Sequence, residues 1–201
     1  TFIMGPIGYL IKILISHDLS VEWVGMIYGV LSFVTLLWAF NDLGCTESLN
    51  YFLPKYIIKN EYGKAKYLLK LTLIMQICTS VFIASTLFFI APWLATVYFN
   101  EPLVIDILRI SGLYFVGINF FDISTVLFSV SQNTKLQKWS EFIKLIITLI
   151  GTSSIFLAWV GTIELYMWAW LWGAIISVFF AWYFAYSRYY LTYFQWIKSE
   201  K

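Results

Sequence analysis

The stretch Lys55-Tyr-Ile-Ile-Lys59-Asn-Glu-Tyr-Gly-Lys64-Ala-Lys66-Tyr-Leu-Leu-Lys70 sets five lysines in one short connection between two long apolar runs. The arrangement recurs at Lys135, Lys138 and Lys144, and again in a tail with Arg188, Lys198 and Lys201. The connections in between carry acids instead: Asp18 and Glu22, then Glu101 and Asp106, then Glu164. Basic residues therefore occupy every second loop. Loops rich in Lys and Arg stay on the cytoplasmic side of a membrane. The alternation predicts a polytopic membrane protein with its lysine-rich loops inside.

Composition agrees. Of 201 residues, 61% are hydrophobic and 12% charged, where soluble domains average roughly 45–50% and about 25%. The apolar excess is spread over several runs, which excludes a lone signal peptide or a single anchor as its source. A net charge of +2 gives no reason to expect nucleic acid. Topology accounts for the lysines, which also sit where anionic lipid would attract them. Cys45 and Cys78 fall in apolar helical stretches and are expected to act as small hydrophobes, not as a disulfide framework. His17, in an acidic outer loop with no cysteine nearby, reads as a surface residue, so no metal site is expected.

A helix needs about 20 residues to cross the hydrocarbon core. The first run, 2–15, is shorter and starts at Thr1 without a methionine, so the chain is expected to begin inside its first helix. The second opens after Ser20 with Glu22 in its first turn, a capped and dipole-favoured start. It is expected to continue to Leu53, because Pro54 disfavours a helical residue before it. The third covers 67–91 and ends at Pro92. The fourth opens at Asn100-Glu101-Pro102 and runs to about 130; the fifth covers 142–159 and the sixth 163–186. Backbone groups in lipid must pair within their own segment, which favours helices, and the ten-residue alternation of a barrel strand is missing. The expectation is an all-α polytopic membrane protein, a six-transmembrane-helix bundle over 1–186 with both ends cytoplasmic. The basic, aromatic tail 187–201 either lies along the inner membrane surface or serves as a linker. Trp93, Tyr98 and Trp139 fit an interfacial belt, and Gly25–Gly29 is a GxxxG spacing expected to allow close internal packing.

Ionisable and amide side chains inside these runs carry the functional signal, since an intramembrane charge is costly and usually faces a bundle interior or a wet cavity. Lys12 lies near the outer end of the first helix. Asn41, Asp42, Glu47 and Asn50 lie in the inner half of the second. Arg109 is in the outer third of the fourth, and Asn119 and Asp122 follow one turn apart on one face. Together they point to a hydrated cavity shared by the first, second and fourth helices. Each also has a structural reading. Lys12 and Arg109 can snorkel to the headgroups, Glu47 and Asn50 can lie beyond the hydrocarbon, and Asp42, Asn119 and Asp122 can hold helices together. The sequence has no Walker A loop, HExxH pair, GxGxxG turn, DxD pair or Cys/His cluster. Loops this short leave no room for a soluble catalytic domain. Neither an enzyme nor a cofactor is expected.

The segments Leu19-Ser-Val-Glu-Trp-Val-Gly-Met-Ile-Tyr-Gly29 and Asp42-Leu-Gly-Cys-Thr-Glu-Ser-Leu-Asn-Tyr-Phe-Leu-Pro-Lys-Tyr56, with the polar turn Asn60-Glu-Tyr-Gly-Lys64, resemble the opening of polysaccharide flippases. These belong to the multidrug/oligosaccharidyl-lipid/polysaccharide exporter superfamily. The matching motifs cover about the first third of the chain. The resemblance implies two six-helix lobes around a central cavity, working by alternating access. This chain would supply one lobe and is expected to be a fragment of a longer protein in a bacterial inner membrane. The implied substrate is an undecaprenyl-diphosphate-linked oligosaccharide. Lys12, Arg109 and Asn119 are then substrate-cavity candidates. Asp42, Glu47 and Asp122 are candidates for proton or sodium coupling, or for orienting the cations. The implied partners are the lipid-linked glycan, membrane lipids, and a second lobe or polysaccharide assembly proteins. Two further readings stay open: drug or cation efflux within the same superfamily, with aromatics supplying cation–π surface, and a non-transporting membrane scaffold of a polysaccharide assembly complex.

Overall fold

The computed structural model describes residues 4–42, 44–130 and 133–187. The expected tail segment 188–201 lies outside the described residues. Regular structure within them is helical throughout: α1 (Met4–Asp18), α2 (Val21–Asn41), α3 (Cys45–Ile58), α4 (Tyr62–Val97), α5 (Val104–Val130), α6 (Thr134–Ala158) and α7 (Ile163–Ala185). Five of these, α2, α4, α5, α6 and α7, are long and apolar enough to cross a membrane. The 15 residues of α1 fall short of that length. The outward faces of α4 and α7 display Phe82, Phe89, Phe179 and Tyr183, a surface that suits lipid and not water. Trp93, Tyr98 and Trp139 are exposed, as an interfacial belt requires.

α5 is the hub. It packs against α4 on one side and α7 on the other; α6 lies on α7, α1 on α6, and α2 against α5. The main core joins Ile15, Ile27, Val30, Leu87, Ile107, Phe115 and Tyr166 from five helices. A second cluster, at the lysine-bearing end, seats α3 through Leu49 and Leu53 onto Ala65, Leu69 and Val126. A third, Phe121 and Phe128 with Ala181 and Ala185, closes α5 onto α7 near the same end. At the opposite end the Tyr166 hydroxyl donates to Asp18 Oδ2 at 2.5 Å, tying the end of α1 to the start of α7.

Side-chain caps open two of the helices. Ser20, extended at φ −61° and ψ 156°, caps α2 by accepting from Trp23 N. Asn133 Oδ1 accepts from Leu136 N and starts α6 eight residues before the apolar run suggests.

The second helix does not continue to Leu53. It stops at Asn41, and Gly44 turns the chain with a left-handed φ of 77°. The Asp42 carboxylate accepts from Thr46 N at 3.2 Å and from Thr46 Oγ1 at 2.5 Å, opening a new helix. It also accepts from Gln76 Nε2 of α4 at 3.0 Å. α3 is about 21 Å long at 1.5 Å per residue, too short for a core of about 30 Å. It buries one stripe against the lysine-bearing end of the bundle and leaves Glu47, Asn50 and Lys55 exposed.

Neither proline ends its helix. Pro54 lies inside α3 and Pro92 inside α4. Proline costs a helix one hydrogen bond, but membrane helices tolerate it where packing and side chains compensate. Here Leu53, just before Pro54, is fully buried. α4 consequently reaches 36 residues and carries its first lysines beyond a hydrocarbon-thick span.

Close helix approach depends on small residues, but not on Gly25–Gly29. A Cβ at Gly25 would meet nothing within 4 Å, and one at Gly29 only the Phe99 ring. The tight contacts are Gly112 against Ala84 (α5 on α4), Gly117 against Ala174 (α5 on α7), and Gly151 against Ala169 (α6 on α7). The tightest among the helical glycines is Gly173, where a Cβ would stand 2.2 Å from Thr148 Oγ1 and 3.3 Å from Lys144 O.

Gly173→Ala is therefore expected to lower stability by about 1–3 kcal/mol, the usual cost of overpacking. The measurement is thermal unfolding of purified protein in detergent. Adding Thr148→Ala removes the nearest obstructing atom and should restore most of the loss; an undiminished melting temperature in Gly173→Ala alone would refute the contact. Asp42→Ala is expected to cost about 0.5–2 kcal/mol, as loss of a capping side chain does, and to speed amide hydrogen exchange selectively over residues 45–58.

Candidate functional site

Polar side chains converge along one groove of the bundle. On α5 the spacing Tyr114, Ile118, Asp122 puts one residue per turn on a single face. α2 presents Leu31, Val34, Thr35 and Trp38 to that face, and Trp170 of α7 closes the floor between them. This cavity measures about 270 Å³. It meets a second of about 360 Å³ at Tyr114 and Trp170. The second cavity is walled by α1 through Gly8 and Lys12, and by α6 through Lys144 and Thr148. The two cavities lie side by side along α5 and α7, with Tyr114 and Trp170 in the walls of both.

Two ammonium groups reach the second cavity. Lys12 Nζ lies 5.4 Å from the centre of the Tyr28 ring, and Lys144 Nζ lies 4.6 Å from the centre of the Phe121 ring. Neither has a carboxylate oxygen within ion-pair distance; the ion pairs among the described residues are Lys64–Glu61, Arg109–Asp106 and Lys138–Glu141. Asp122 supplies the facing carboxylate. Trp38 lines the same cavity; Lys144 is the positive charge that acts on the carboxylate, with Asp42 and Glu141 as negative ones. Two cations in one cavity and one carboxylate in the next thus flank the shared aromatic wall of Tyr114 and Trp170. Such a set attracts an anion and holds a counter-charge of its own.

The residues expected from the sequence are not gathered in one place. Lys12 and Asp122 line the groove. Asn119 does not; it is buried, donates to Phe115 O at 2.7 Å and accepts from Asn41 Nδ2 at 2.6 Å. That amide pair fastens α2 to α5 behind the groove wall. Asp42 sits at the head of α3, engaged by Thr46 and Gln76. Glu47 is exposed in the first turn of α3. Beside them burial, aided by the Asp42 and Glu47 carboxylates, pushes the Cys45 thiol up, which keeps it protonated. Arg109 points to the back of the bundle, between α4 and α7, into a separate pocket with Phe88, Asp106, Glu164 and Trp168.

Lys144, Tyr114, Trp38 and Trp170 were not singled out from the sequence. Lys144 counts there as one of the loop lysines, because the apolar run starts only at Phe142. In the structure α6 begins at Thr134, which carries Lys144 nearly three turns into the helix. The available signal was the Asn133 cap together with the spacing Lys144–Thr148–Thr152, a polar stripe on an otherwise apolar helix.

Comparisons with known proteins agree with a membrane role. Residues 1–201 match the profile of a family described as polysaccharide biosynthesis protein, well beyond the first third that carries the sequence motifs. An uncharacterized membrane protein of Methanocaldococcus jannaschii is 28% identical over 149 residues, which make up 70% of this chain and 29% of that protein. The chain thus spans less than a third of that relative's length. No solved structure matches the chain.

Proposed function

The chain belongs to the polysaccharide biosynthesis protein family, and from that premise we propose that it forms one lobe of a translocator for lipid-linked oligosaccharide. The lobe contains α1 as a sixth span beside the five long helices. Its lysine-bearing end, with α3 and both chain ends, lies on the cytoplasmic side of the cytoplasmic membrane. Translocation proceeds by alternating access against a second lobe, with no covalent chemistry.

The observation that carries this reading is the pair Lys12 and Lys144 on one continuous groove without carboxylates in ion-pair contact. A polyprenyl-diphosphate glycan needs its anionic diphosphate and its polar sugars shielded from hydrocarbon. The two ammonium groups accept the diphosphate as compact point charges with three donors each. Trp38, Tyr114 and Trp170 offer flat faces to the apolar sides of sugar rings, and the polyprenyl tail stays in lipid through the opening between α1 and α2. Asp122 balances Lys144 while the groove is empty. When the diphosphate engages Lys144, Asp122 is released to take up a proton or sodium ion, which links substrate binding to the coupling ion.

The same aromatic wall with Asp122 also suits an organic cation. The two lysines argue against it, since a cationic drug would meet like charges along the path.

Hydrogen bonds to charged groups contribute about 1.5–3 kcal/mol, so each of Lys12→Gln and Lys144→Gln is expected to cut transport by about tenfold or more. The assay is translocation of a fluorescent polyprenyl-diphosphate oligosaccharide in proteoliposomes, using variants matched for melting temperature. Full activity in the double variant would overturn the assignment. Asp122→Asn is expected to retain substrate binding while abolishing dependence on the ion gradient. Transport of an organic cation that survives both lysine substitutions but not Asp122→Asn would support efflux instead.

A further inference from the structure

The pocket behind the bundle is separate from the groove in position and in chemistry. It has a volume of about 370 Å³ and opens between α4, α5 and α7. On α5, Arg109 and Asp122 lie 13 residues apart, which at 100° per residue places them on well-separated faces. On α7, Glu164 and Trp168 of the pocket are likewise turned away from Trp170 of the groove. The pocket is therefore not a branch of the translocation path.

Its polar groups are incompletely engaged. The Arg109 guanidinium stacks over the Phe88 ring with Cζ 4.7 Å from the centroid. It makes one long contact, Nη1 to Asp106 Oδ1 at 3.5 Å. Arg109 Nε is buried with no hydrogen-bond partner among the described residues. Glu164 lines the same pocket and has no ion-pair or hydrogen-bond partner among the described residues. A guanidinium with unused donors beside two carboxylates with unused acceptors is built for a ligand carrying both charges.

The location narrows that ligand. Asp106 and Glu164 sit in the first turns of α5 and α7, at the membrane boundary marked by exposed Trp93 and Tyr98. The rest of the pocket is apolar and outward-facing: Phe88, Leu113 and Trp168 are all partly exposed. A charged mouth at headgroup depth above an apolar slot toward the hydrocarbon matches a phospholipid. We propose that this pocket binds an ethanolamine-headgroup phospholipid in the leaflet opposite the lysine-rich end. Arg109 grips the phosphate through its planar fork. Asp106 and Glu164 accept hydrogen bonds from the primary ammonium. One acyl chain lies over Leu113 and Trp168. The two carboxylates set the selectivity: a headgroup with no ammonium leaves them facing only the lipid's own negative charge, and a choline headgroup has no N–H to donate.

Native mass spectrometry of the purified protein, delipidated and then titrated with phosphatidylethanolamine, phosphatidylcholine or phosphatidylglycerol of the same acyl composition, tests this. The wild type is expected to retain phosphatidylethanolamine about tenfold more strongly than either other lipid. Arg109→Gln should abolish that retention. Glu164→Gln, at a partly exposed side chain without partners, is the variant least able to disturb the fold; it should lose selectivity and retain phosphatidylethanolamine and phosphatidylglycerol alike. Equal retention of all three lipids by the wild type, no retention of any, or undiminished selectivity in Glu164→Gln would each overturn the assignment. Because the readout is lipid retention and not transport, it stands or falls apart from the groove's role.

Discussion

Hydrocarbon offers no hydrogen bonds, and every feature of this bundle answers to that constraint. Backbone groups are satisfied by helices. Serine and threonine hydroxyls donate back to carbonyls three or four residues earlier, as in Thr35, Thr86, Ser111 and Ser177. Asn41 and Asn119 pair across α2 and α5. Among the described residues Tyr28 Oη, Asn41 Oδ1, Gln76 Oε1 and Arg109 Nε stay buried without a hydrogen-bond partner, and six charged side chains in or beside the spans gather on two concave surfaces. Lys12, Lys144 and Asp122 share the groove; Arg109, Asp106 and Glu164 share the rear pocket. A cation inside a membrane span costs about 2.5–3.5 kcal/mol. The gathering of these charges on two concave surfaces is the observation on which both ligand proposals rest.

The groove exists because three helix pairs approach closely and a fourth does not. Gly112, Gly117, Gly151 and Gly173 let α4, α5, α6 and α7 pack with backbones nearly in contact. Helices have no hydrophobic drive to associate in lipid, so small residues that permit dense packing decide which faces join. α1 and α2 lack such a seam between them. Gly5, Gly8 and Gly25 would each accept a Cβ without meeting any neighbour. α1 consequently leans on α6, α2 leans on α5, and the space between them opens onto the floor made by α5 and α7. Gly173 ties the two levels together: the contact it makes with Thr148 fixes α6 in the register that turns Lys144 into the cavity.

The long apolar runs and the alternation of charged loops were legible in the sequence because hydropathy is a local property summed over many residues. Boundaries set by single hydrogen bonds were not. Asp42 reads as one more polar residue in a continuing helix until Thr46 and Gln76 are seen to surround it. Pro54 and Pro92 carry a strong local signal against helix, and it loses to burial of Leu53 and to the absence of competing water. The groove was half legible. Lys12 and Asp122 stand out as charges inside apolar runs, whereas Lys144 hides among loop lysines because hydropathy cannot detect the cap at Asn133. Arg109 stands out equally, yet its direction depends on helix rotation, which the sequence does not state.

The two concave surfaces differ most in the sign of their surplus charge. The groove sets two lysines against one carboxylate, with aromatic rings as walls. The rear pocket sets one arginine against two carboxylates, with aromatic and aliphatic side chains as a floor. A substrate with a doubly anionic diphosphate is drawn to the first and repelled by the second; a zwitterion ending in an ammonium has the reverse preference. The choice of cation fits this division. Lysines on flexible stems could follow a headgroup moving through the groove, as the proposed transport requires. An arginine stacked on Phe88 is pre-organised, which suits a ligand that stays. Opposite surplus charge on two faces of one bundle also keeps the ligands from competing. On the proposed assignments, a lipid held at the back would not occupy the front, and a diphosphate-bearing cargo at the front would find no resting place behind.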